Sequence, residues 1–443
     1  MLFANYKSIA CSIERRLLLS LVECGINSAL PKNFMQRSIK FRKGILTAQK
    51  RKFDLRGKRI FVIGFGKMSN EMALEIEGII GPENIEFGIV ISNCIRKKPK
   101  KIIALEANHP IPSSKSVEAA KKIMSVKEKF RLGKNDFVIA LVSGGGSSLM
   151  AYPAGDITLA EKKKTIGELI RSGANVHEIT IIKKKISSIK GGKLAAHFYP
   201  AQILSLVVSD VVGNNFDVIA SGPLARDNSS FSDALDIIKK YNLQNKIPTK
   251  IIDYIKKCKN ESRNKFKHVA QILMASNETI LDSIKEAAEK KGITVIKKGG
   301  IQGESQLVAK RICQSLNKHK IKCPILFIYG GETTVTISNN TGKGGRNQEF
   351  ISACLKYLDH GKLKNYRWAA ASVASDGVDF ISESCGGIID RMTIRELKRR
   401  NIDLDSYLKR HDSYNLLDTI NSNLSTNGPT GTNVGDIMLF LYM

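Results

Sequence analysis

The sequence predicts an α/β fold with two α/β domains, of which the N-terminal one is Rossmann-like. Short apolar runs rich in β-branched residues alternate with amphipathic segments of helical periodicity, a pattern typical of parallel sheets covered by helices. Turns rich in glycine and hydroxyl groups follow these runs, first at 64–69 and again at 143–148. The 443 residues are enough for about two or three domains, each with a core of its own.

The first half of the chain shows the order of elements most clearly. We expect one or two helices in the first forty residues and a basic linker over 37–52. Strands are predicted at 59–63, 87–92, 102–105 and 137–142, with helices over 71–80 and after Pro112. This β-α-β-β-α-β order is expected to bind ligands at the carboxyl ends of its strands.

A glycine-rich turn follows the strand at 137–142 and precedes a segment that could continue as a helix. Its residues are Ser143, Gly144, Gly145, Gly146, Ser147 and Ser148. Such a turn aims successive backbone N–H groups at an anion, and glycine lets phosphate oxygens approach closely. A plain turn or flexible linker is the alternative reading.

Lys67 follows the strand at 59–63 in the segment Gly64-Phe65-Gly66-Lys67. A lysine at the head of a helix can reach a phosphate, although it could equally be a capping residue. The chain contains no GxxxxGK[ST] motif, and its GxG is not completed to GxGxxG. His109 could contact a ligand, but a hydrogen-bonded loop histidine is the simpler interpretation.

Helices are predicted at 158–172 and 176–188, and the second leads into Lys190, Gly191 and Gly192, where paired glycines would again let the backbone approach an anion. A buried strand at 203–208 ends close to Asp210. A carboxylate at the end of a buried strand is costly unless it is paired, binds a metal or takes part in proton transfer. A helix or turn cap is the alternative for Asp210.

The polar, lysine-rich segment 229–267 is interpreted as the crossover between domains, giving 1–235 and 236–443. Strands are predicted at 272–276, 294–297, 325–329, 369–374 and 437–441. Glu332 follows one strand, Asp376 follows another, and Arg346 lies in a glycine-rich loop before a helix. An arginine there can bind carboxylate or phosphate through two parallel hydrogen bonds.

The formal net charge is +29 at pH 7. No nucleic-acid-binding motif is present, so we expect no nucleic-acid partner and interpret the charge as a field that attracts anionic substrates. No apolar run reaches the ~18 residues of a membrane span, and a charged N-terminus argues against a signal peptide. A cytoplasmic protein with reduced cysteines and no membrane contact is therefore expected.

Nine ordered motifs together resemble the glycerate 2-kinase family, the two-domain class with a C-terminal MOFRL domain. They cover the chain from about Lys58 onward and read GFGKM, NHPIPSS, LVSGGGSSLM, ISSIKGGKLA, SDVVGNN with IASGP, GGETTV, GKGGRNQE, ASDGVD and NGPTGTNVGD. By this resemblance the MOFRL region spans about 320–440, and the active site lies in a cleft between the domains.

The resemblance implies ATP-dependent phosphorylation of D-glycerate to 2-phosphoglycerate with Mg²⁺. Lys67, Asp210 and Arg346 then become the catalytic residues, and the glycine loop, Lys190, Gly191, Gly192 and Glu332 bind the nucleotide. Asp210 and Asp376 are the expected metal ligands. A homodimer is compatible with the family but nothing in the residues requires one.

The chain departs from the family pattern at several positions. Lys183 stands where the family usually has arginine, Lys185 where it has histidine, and Asn214 and Asn215 where it has an acidic pair. These changes leave open a kinase of another small hydroxy acid. A hydroxypyruvate reductase is a second alternative, and the absence of a complete dinucleotide-binding fingerprint argues against it. The third is a basic nucleic-acid-binding or nucleotide-binding protein that has lost catalysis, for which a steep salt dependence of binding to DNA or RNA would be the evidence.

Overall fold

The computed structural model describes residues 1–258, 266–319, 322–337, 342–358, 366–381 and 383–443. The chain forms two compact units. The N-terminal unit comprises Phe34–Met274, and the C-terminal unit comprises Met1–Asn33 together with Ala275–Met443. All eight cysteines are free thiols.

The described helices, in chain order, are α1 Tyr6–Ile9, α2 Ile13–Ser28, α3 Pro31–Ser38, α4 Ser69–Ile80, α5 Ser114–Phe130, α6 Gly146–Leu149, α7 Leu159–Arg171, α8 Val176–Lys185, α9 Lys193–Phe198, α10 Phe231–Lys240, α11 Thr249–Lys257, α12 Asn277–Glu289, α13 Ser305–Lys318, α14 Arg346–Leu358, α15 Arg391–Arg399, α16 Leu404–Lys409 and α17 Ser413–Thr419.

The described strands are β1 Ile39–Arg42, β2 Ile45–Ala48, β3 Arg51–Asp54, β4 Arg59–Phe65, β5 Ile85–Ser92, β6 Ile102–Glu106, β7 Asp136–Val142, β8 Gln202–Val208, β9 Val269–Ala275, β10 Thr294–Glu304, β11 Ile325–Thr334, β12 Trp368–Ala374, β13 Gly386–Asp390, β14 Asn423–Leu424 and β15 Asp436–Tyr442.

The main sheet of the N-terminal unit has the strand order β6-β5-β4-β7-β8-β9. The four pairs from β6 to β8 are parallel. Counted along the chain within this sheet, the order is 3-2-1-4-5-6, which confirms the Rossmann-like prediction. The order reverses between β4 and β7, and open α/β sheets bind ligands at the carboxyl ends of the strands on either side of that point.

The prediction of a basic linker at 37–52 is wrong, because this segment forms the antiparallel sheet β1-β2-β3. Its charged residues lie outside while Ile39, Leu46 and Ala48 are buried. The segment therefore has a strand's alternation of apolar and polar positions, which its many lysines and arginines obscured.

A second core in the N-terminal unit is helical and joins α7, α8, α10 and α11. Leu169 and Ile182 pack there with Ile237 and Ile251. This packing keeps 236–257 with the preceding residues, so the compact unit runs to Met274, beyond the boundary at 235 that composition suggested.

The C-terminal unit has a mixed sheet of order β10-β11-β15-β12-β13-β14. Only β10 and β11 pair in parallel, and the other neighbours are antiparallel. Phe327, Phe350 and Phe440 lie in its core. Helix α2, from the start of the chain, packs on α12 and on β12 of this unit.

Candidate functional site

Lys67 lies directly after β4 and is tied to the glycine loop after β7. The Lys67 N–H donates to the Gly144 carbonyl (2.9 Å), and the Met68 N–H donates to Ser143 Oγ (3.0 Å). Gly66 has φ +131°, and a Cβ there would lie 2.5 Å from the Ser143 carbonyl oxygen. Glycine at 66 therefore permits the close approach of the two loops that places Lys67.

Gly145 is the point where Lys67 and His109 meet the glycine loop. It has φ +79°, and a Cβ on it would lie 2.9 Å from His109 Cδ2 and 3.1 Å from Lys67 Cγ. Among the described residues, the N–H groups of Gly144 and Gly145 donate to no protein atom. Two backbone donors, a lysine and a histidine are thus gathered at the switch point of the sheet.

Lys190 holds the other side of the glycine loop. Its buried Nζ donates to the Ser147 carbonyl (2.8 Å) and to Ser147 Oγ (3.1 Å), and Ser147 Oγ lies 2.9 Å from Ser221 Oγ. The Gly191 N–H donates to the Ser221 carbonyl (3.1 Å) and the Gly192 N–H to the Gly222 carbonyl (2.8 Å). Burial, followed by repulsion from Lys162 and Lys183, lowers the pKa of Lys190 well below its ordinary value.

Ser221 belongs to a strained turn whose role the sequence did not reveal. Ala220 (φ +51°) and Ser221 (φ +63°) are both in the left-handed region, and Gly222 follows at φ +60°. Such conformations cost about 1–3 kcal/mol for each residue other than glycine and concentrate at functional sites. A Cβ on Gly222 would lie 2.7 Å from the Asp217 carbonyl oxygen, so a side chain is excluded there.

Asp210 lies two residues beyond β8 and is half-buried. Because Val142 of β7 pairs with Val207 of the parallel strand β8, Asp210 follows the same edge of the sheet as the glycine loop. The local chain is turned by Ser209, whose Oγ accepts from the Val211 N–H (3.2 Å). The structure therefore places Lys67, the glycine loop and Asp210 on consecutive strand ends of one sheet.

The positions that depart from the family pattern differ in their surroundings. Lys185 Nζ donates to Asp227 Oδ2 (2.8 Å) and to the Ser229 carbonyl (2.7 Å), so two of its three N–H donors have partners. Lys183 has no acidic partner among the described residues, and burial lowers its pKa. Asn214 has φ +54°, a conformation that asparagine tolerates better than most residues.

Arg346 opens α14 in the C-terminal unit and is held by two carboxylates. Asp436 accepts from its Nε (2.6 Å) and from a terminal nitrogen (2.9 Å), and Glu332 lies 3.2 Å from the other terminal nitrogen. Asp436 is fully buried. Burial opposes the charge of Arg346, but the pairing with Asp436 raises its pKa above the ordinary value.

Asp379 fixes the start of α14, whereas the predicted Asp376 is half-buried in the preceding turn. Asp379 accepts from the N–H groups of Asn347 (3.0 Å) and Gln348 (2.8 Å). Burial raises the pKa of Asp379 to about 6, against the effect of those hydrogen bonds. Asp376 Oδ1 accepts from the Val378 N–H (3.1 Å).

Sequence reasoning did not single out Asp379 and Asp436, which lie beside Arg346 and the start of α14, or Ser221, which lies beside the glycine loop. For Asp436 a signal was present, since a carboxylate next to a buried strand is the same pattern that singled out Asp210. Asp379 had a weaker signal, as the second carboxylate of the SDGVD motif. Nothing in the sequence marked the backbone conformation at Ser221.

Within the described ranges no group of three or more His, Cys, Asp and Glu side chains is arranged to hold a metal ion. Among the described helices, none is both long and apolar enough to cross a membrane.

Comparison with known proteins gives consistent matches. Residues 17–256 match the model of a domain of unknown function, DUF4147, and residues 325–436 match the MOFRL family. The glycerate 2-kinase of Pyrococcus horikoshii is 35% identical, with 96% of each chain covered. A relative from Agrobacterium vitis, also 35% identical over 86% of this chain and 99% of its own, carries the provisional name hydroxypyruvate reductase. The crystal structure of the Thermotoga maritima glycerate kinase is similar with a TM-score of 0.82, 29% identity, and 97% and 99% coverage.

Proposed function

The chain belongs to the glycerate 2-kinase family, and on that premise we propose that it transfers the γ-phosphoryl group of ATP to the 2-hydroxyl of D-glycerate. The proposal rests on one observation: Lys67 lies against Gly145, next to the backbone N–H groups of Gly144 and Gly145, which donate to no atom of the described residues. Phosphoryl transfer depends mainly on positioning the reactants and neutralising charge on the phosphate oxygens. A lysine beside backbone donors supplies both.

In this proposal the glycine loop, Ser143 to Ser148, binds the nucleotide phosphates. Lys190 holds that loop through Ser147, and Gly191 and Gly192 hold the turn that bears Ser221. Because these contacts already hold the loop, we propose that its donors are preorganised for the phosphate oxygens.

In the C-terminal unit, binding roles are proposed for Arg346 and Glu332. The guanidinium keeps a partly exposed edge while Asp436 occupies its buried one. Arg346 would bind the glycerate carboxylate or the transferring phosphoryl group, and Glu332 a nucleotide hydroxyl or amine. Planar hydrogen bonding to oxyanions is the property for which arginine is suited.

Mg²⁺ is the expected companion of ATP. The described residues form no all-protein metal cage, and Mg²⁺ usually needs only one or two carboxylates besides phosphate oxygens and water. Asp210 at a strand end fits that requirement, with Asp376 as the second candidate ligand. Bound Mg²⁺ would neutralise phosphate charge. In this proposal Asp210 either binds Mg²⁺ or receives the proton of the attacking hydroxyl.

The reductase alternative is not favoured by the sheet. Nicotinamide enzymes of this strand order usually carry an acidic residue near the end of the second strand, where it binds the ribose. Here the second strand, β5, ends at Ser92, a buried residue whose Oγ donates to the Lys67 carbonyl (3.1 Å). The serine is committed to the Lys67 loop and offers no carboxylate.

A coupled assay of ADP release with ATP, Mg²⁺ and D-glycerate tests the proposal, with the product resolved as 2- or 3-phosphoglycerate. We expect 2-phosphoglycerate from the wild-type protein. We expect Lys67→Ala to lower kcat by about 100-fold or more, the cost of removing one charge-stabilising donor. Lys98→Ala, at an exposed lysine, is the matched control.

If folded Lys67→Ala turned over D-glycerate at the wild-type rate, Lys67 would have no role in the mechanism. A folded wild-type protein without turnover on D-glycerate would instead direct the search to other small hydroxy acids, beginning with the departures at Lys183 and Asn214.

A further inference from the structure

Lys162 is a buried lysine whose amino group has no partner among the described residues. It lies on α7, its side chain is 4% exposed, and its Nζ makes no hydrogen bond within the described residues. Ion pairs involving Lys162 are likewise absent from the described part of the chain. Burying an ammonium group with no compensating contact costs several kcal/mol, so this position requires an explanation.

The neighbours of Lys162 make the charge imbalance larger. Lys183 and Lys193 lie close enough for their charges to lower the pKa of Lys162, after burial itself, to about 7. Lys162 and Lys183 act in the same direction on Lys190. These four lysines come from separate parts of the chain: α7, α8, the turn before α9 and the first residue of α9.

No carboxylate balances the three lysines 162, 183 and 190 among the described residues. The nearby acids Asp217 and Asp227 are used by Lys184, at 3.2 and 3.4 Å, and Asp227 also by Lys185, at 2.8 Å. The chain thus satisfies two lysines of α8 with acids of its own and leaves the other three without a counter-charge.

The unbalanced lysines adjoin the serine hydroxyl groups of Ser147 and Ser187. Lys190 Nζ bonds Ser147 in the glycine loop, and the Ser187 hydroxyl accepts weakly from the Lys190 N–H (3.4 Å). Ammonium groups together with hydroxyls are the donor set that recognises phosphate or carboxylate oxygens.

We propose that Lys162, Lys183 and Lys190 form an oxyanion site in the N-terminal unit, which takes a phosphate or carboxylate group of a small metabolite. The bound anion supplies the counter-charge that the protein does not. This site deepens the proposed function and rests on it only for the identity of the anion. Lys162 is the residue that defines it, because Lys190 already bonds Ser147.

Binding of inorganic phosphate, measured by titration calorimetry at constant ionic strength, tests the site on the full-length protein. We expect Lys162→Met to raise the Kd for phosphate at least about tenfold, because one charged donor is lost. The control is Lys163→Met, an exposed lysine next to it on α7 with the same change of charge. A Kd unchanged in Lys162→Met would overturn the proposal.

A second ligand separates the two sources of the oxyanion. With D-glycerate in place of phosphate, selective loss of glycerate binding in Lys162→Met identifies a carboxylate site, and selective loss of phosphate binding identifies a phosphate site. If Lys162→Met does not fold by circular dichroism, Lys183→Met gives the same comparison. Wild-type protein that binds neither anion overturns the site.

The outcome is independent of the kinase assay. If the wild-type protein phosphorylates D-glycerate and Lys162→Met binds the anion as tightly as the wild type does, the proposed oxyanion site is wrong and the proposed function stands. If Lys162→Met loses anion binding and the wild-type protein does not phosphorylate D-glycerate, the oxyanion site stands and the proposed function is wrong.

Discussion

Asp436 determines the orientation of Arg346, the arginine on which the proposed chemistry of the C-terminal unit depends. Its carboxylate accepts two hydrogen bonds from the guanidinium, one from Nε (2.6 Å) and one from a terminal nitrogen (2.9 Å), and together they fix the plane of the guanidinium. The pair cannot be treated as a surface salt bridge, since Asp436 is fully buried. Losing one carboxylate oxygen would free the guanidinium to rotate away from its ligand.

We expect Asp436→Asn to lower kcat by about 100-fold, the usual cost of misplacing a reacting group by about 1 Å. A change in kcat larger than any change in KM, measured by steady-state kinetics at fixed Mg²⁺, would show that transfer is affected more than binding. The control Asp418→Asn changes an exposed carboxylate of the same unit. Equal kcat in Asp436→Asn and the wild type would exclude a positioning role.

Lys162 also makes stability depend on pH in a direction that can be stated. Its pKa is about 7 in the folded chain and about 10.4 when unfolded, so the unfolded state binds more protons between these values. The free energy of unfolding is therefore highest, as far as Lys162 is concerned, above about pH 10.4, and it decreases as the pH falls towards 7. Lys183, Lys190 and Lys193 face the same region and remain present in Lys162→Met.

Relative to Lys162→Met, the wild-type protein should therefore gain about 1 kcal/mol of unfolding free energy per pH unit between pH 7 and 9. Urea unfolding at three pH values, in buffer free of phosphate, measures the gain. Lys163→Met should instead give a curve parallel to the wild type. A parallel curve for Lys162→Met would mean that its ammonium is solvated.

At the level of elements, the glycine loop contains a residue with positive φ, Gly145, that lies against the side chains of His109 and Lys67 from two other loops. Gly145→Ala would place a methyl group 2.9 Å from the His109 ring and 3.1 Å from the Lys67 stem. We expect a stability loss of about 1–2 kcal/mol from the left-handed conformation and a fall in kcat/KM from the displaced lysine.

Gly78→Ala is the control for this change. Gly78 lies in α4, and a Cβ there would meet nothing within 4 Å, so alanine should stabilise the helix by roughly 0.5–1 kcal/mol. Thermal unfolding and the coupled kinase assay report both effects. A fully active Gly145→Ala would show that Lys67 does not depend on this contact.

The elements around the candidate site were predictable where an apolar strand pattern was followed directly by a glycine-rich or acidic turn. The strands β4, β7 and β8 are continuous apolar runs, and parallel sheets place their following loops at one edge, so Lys67, the glycine loop and Asp210 could be grouped from sequence. Strand β10 was predicted only to residue 297 because Gly299 and Gly300 resemble a turn, yet the strand continues to Glu304. Side-chain pairs formed across the fold, such as Arg346 with Asp436, leave no local pattern.

At the scale of the whole molecule, the least predictable feature is that Met1–Asn33 belongs to the same compact unit as Ala275–Met443. Periodicity predicts α2 as an amphipathic helix but does not say which sheet it covers. The decisive contacts join residues far apart in the chain, and a single sequence carries no trace of such a pairing. A domain boundary inferred from composition therefore could not assign Met1–Asn33 to the C-terminal unit.

Arg15 is the side chain that holds the segment Met1–Asn33 to the rest of this unit. Its guanidinium donates to Asp390 (2.8 Å from Nε) and to Thr393 Oγ1 (2.7 Å), and Arg15 and Asp390 are each at least 95% buried. Asp390 also caps α15 by accepting from the Thr393 N–H (3.0 Å). Removing the arginine leaves a buried carboxylate with one partner fewer, next to the end of β13.

We expect Arg15→Met to lower the unfolding free energy by about 3–5 kcal/mol, the range for breaking one side of a buried ion pair. The loss should appear in urea unfolding followed by the fluorescence of Trp368, which is buried in the same unit. Arg16→Met removes the same charge from an exposed neighbour and should change stability by less than about 0.5 kcal/mol. If both variants lost stability equally, the net charge of α2 would be responsible, and the buried pair would not be what holds the first 33 residues to this unit.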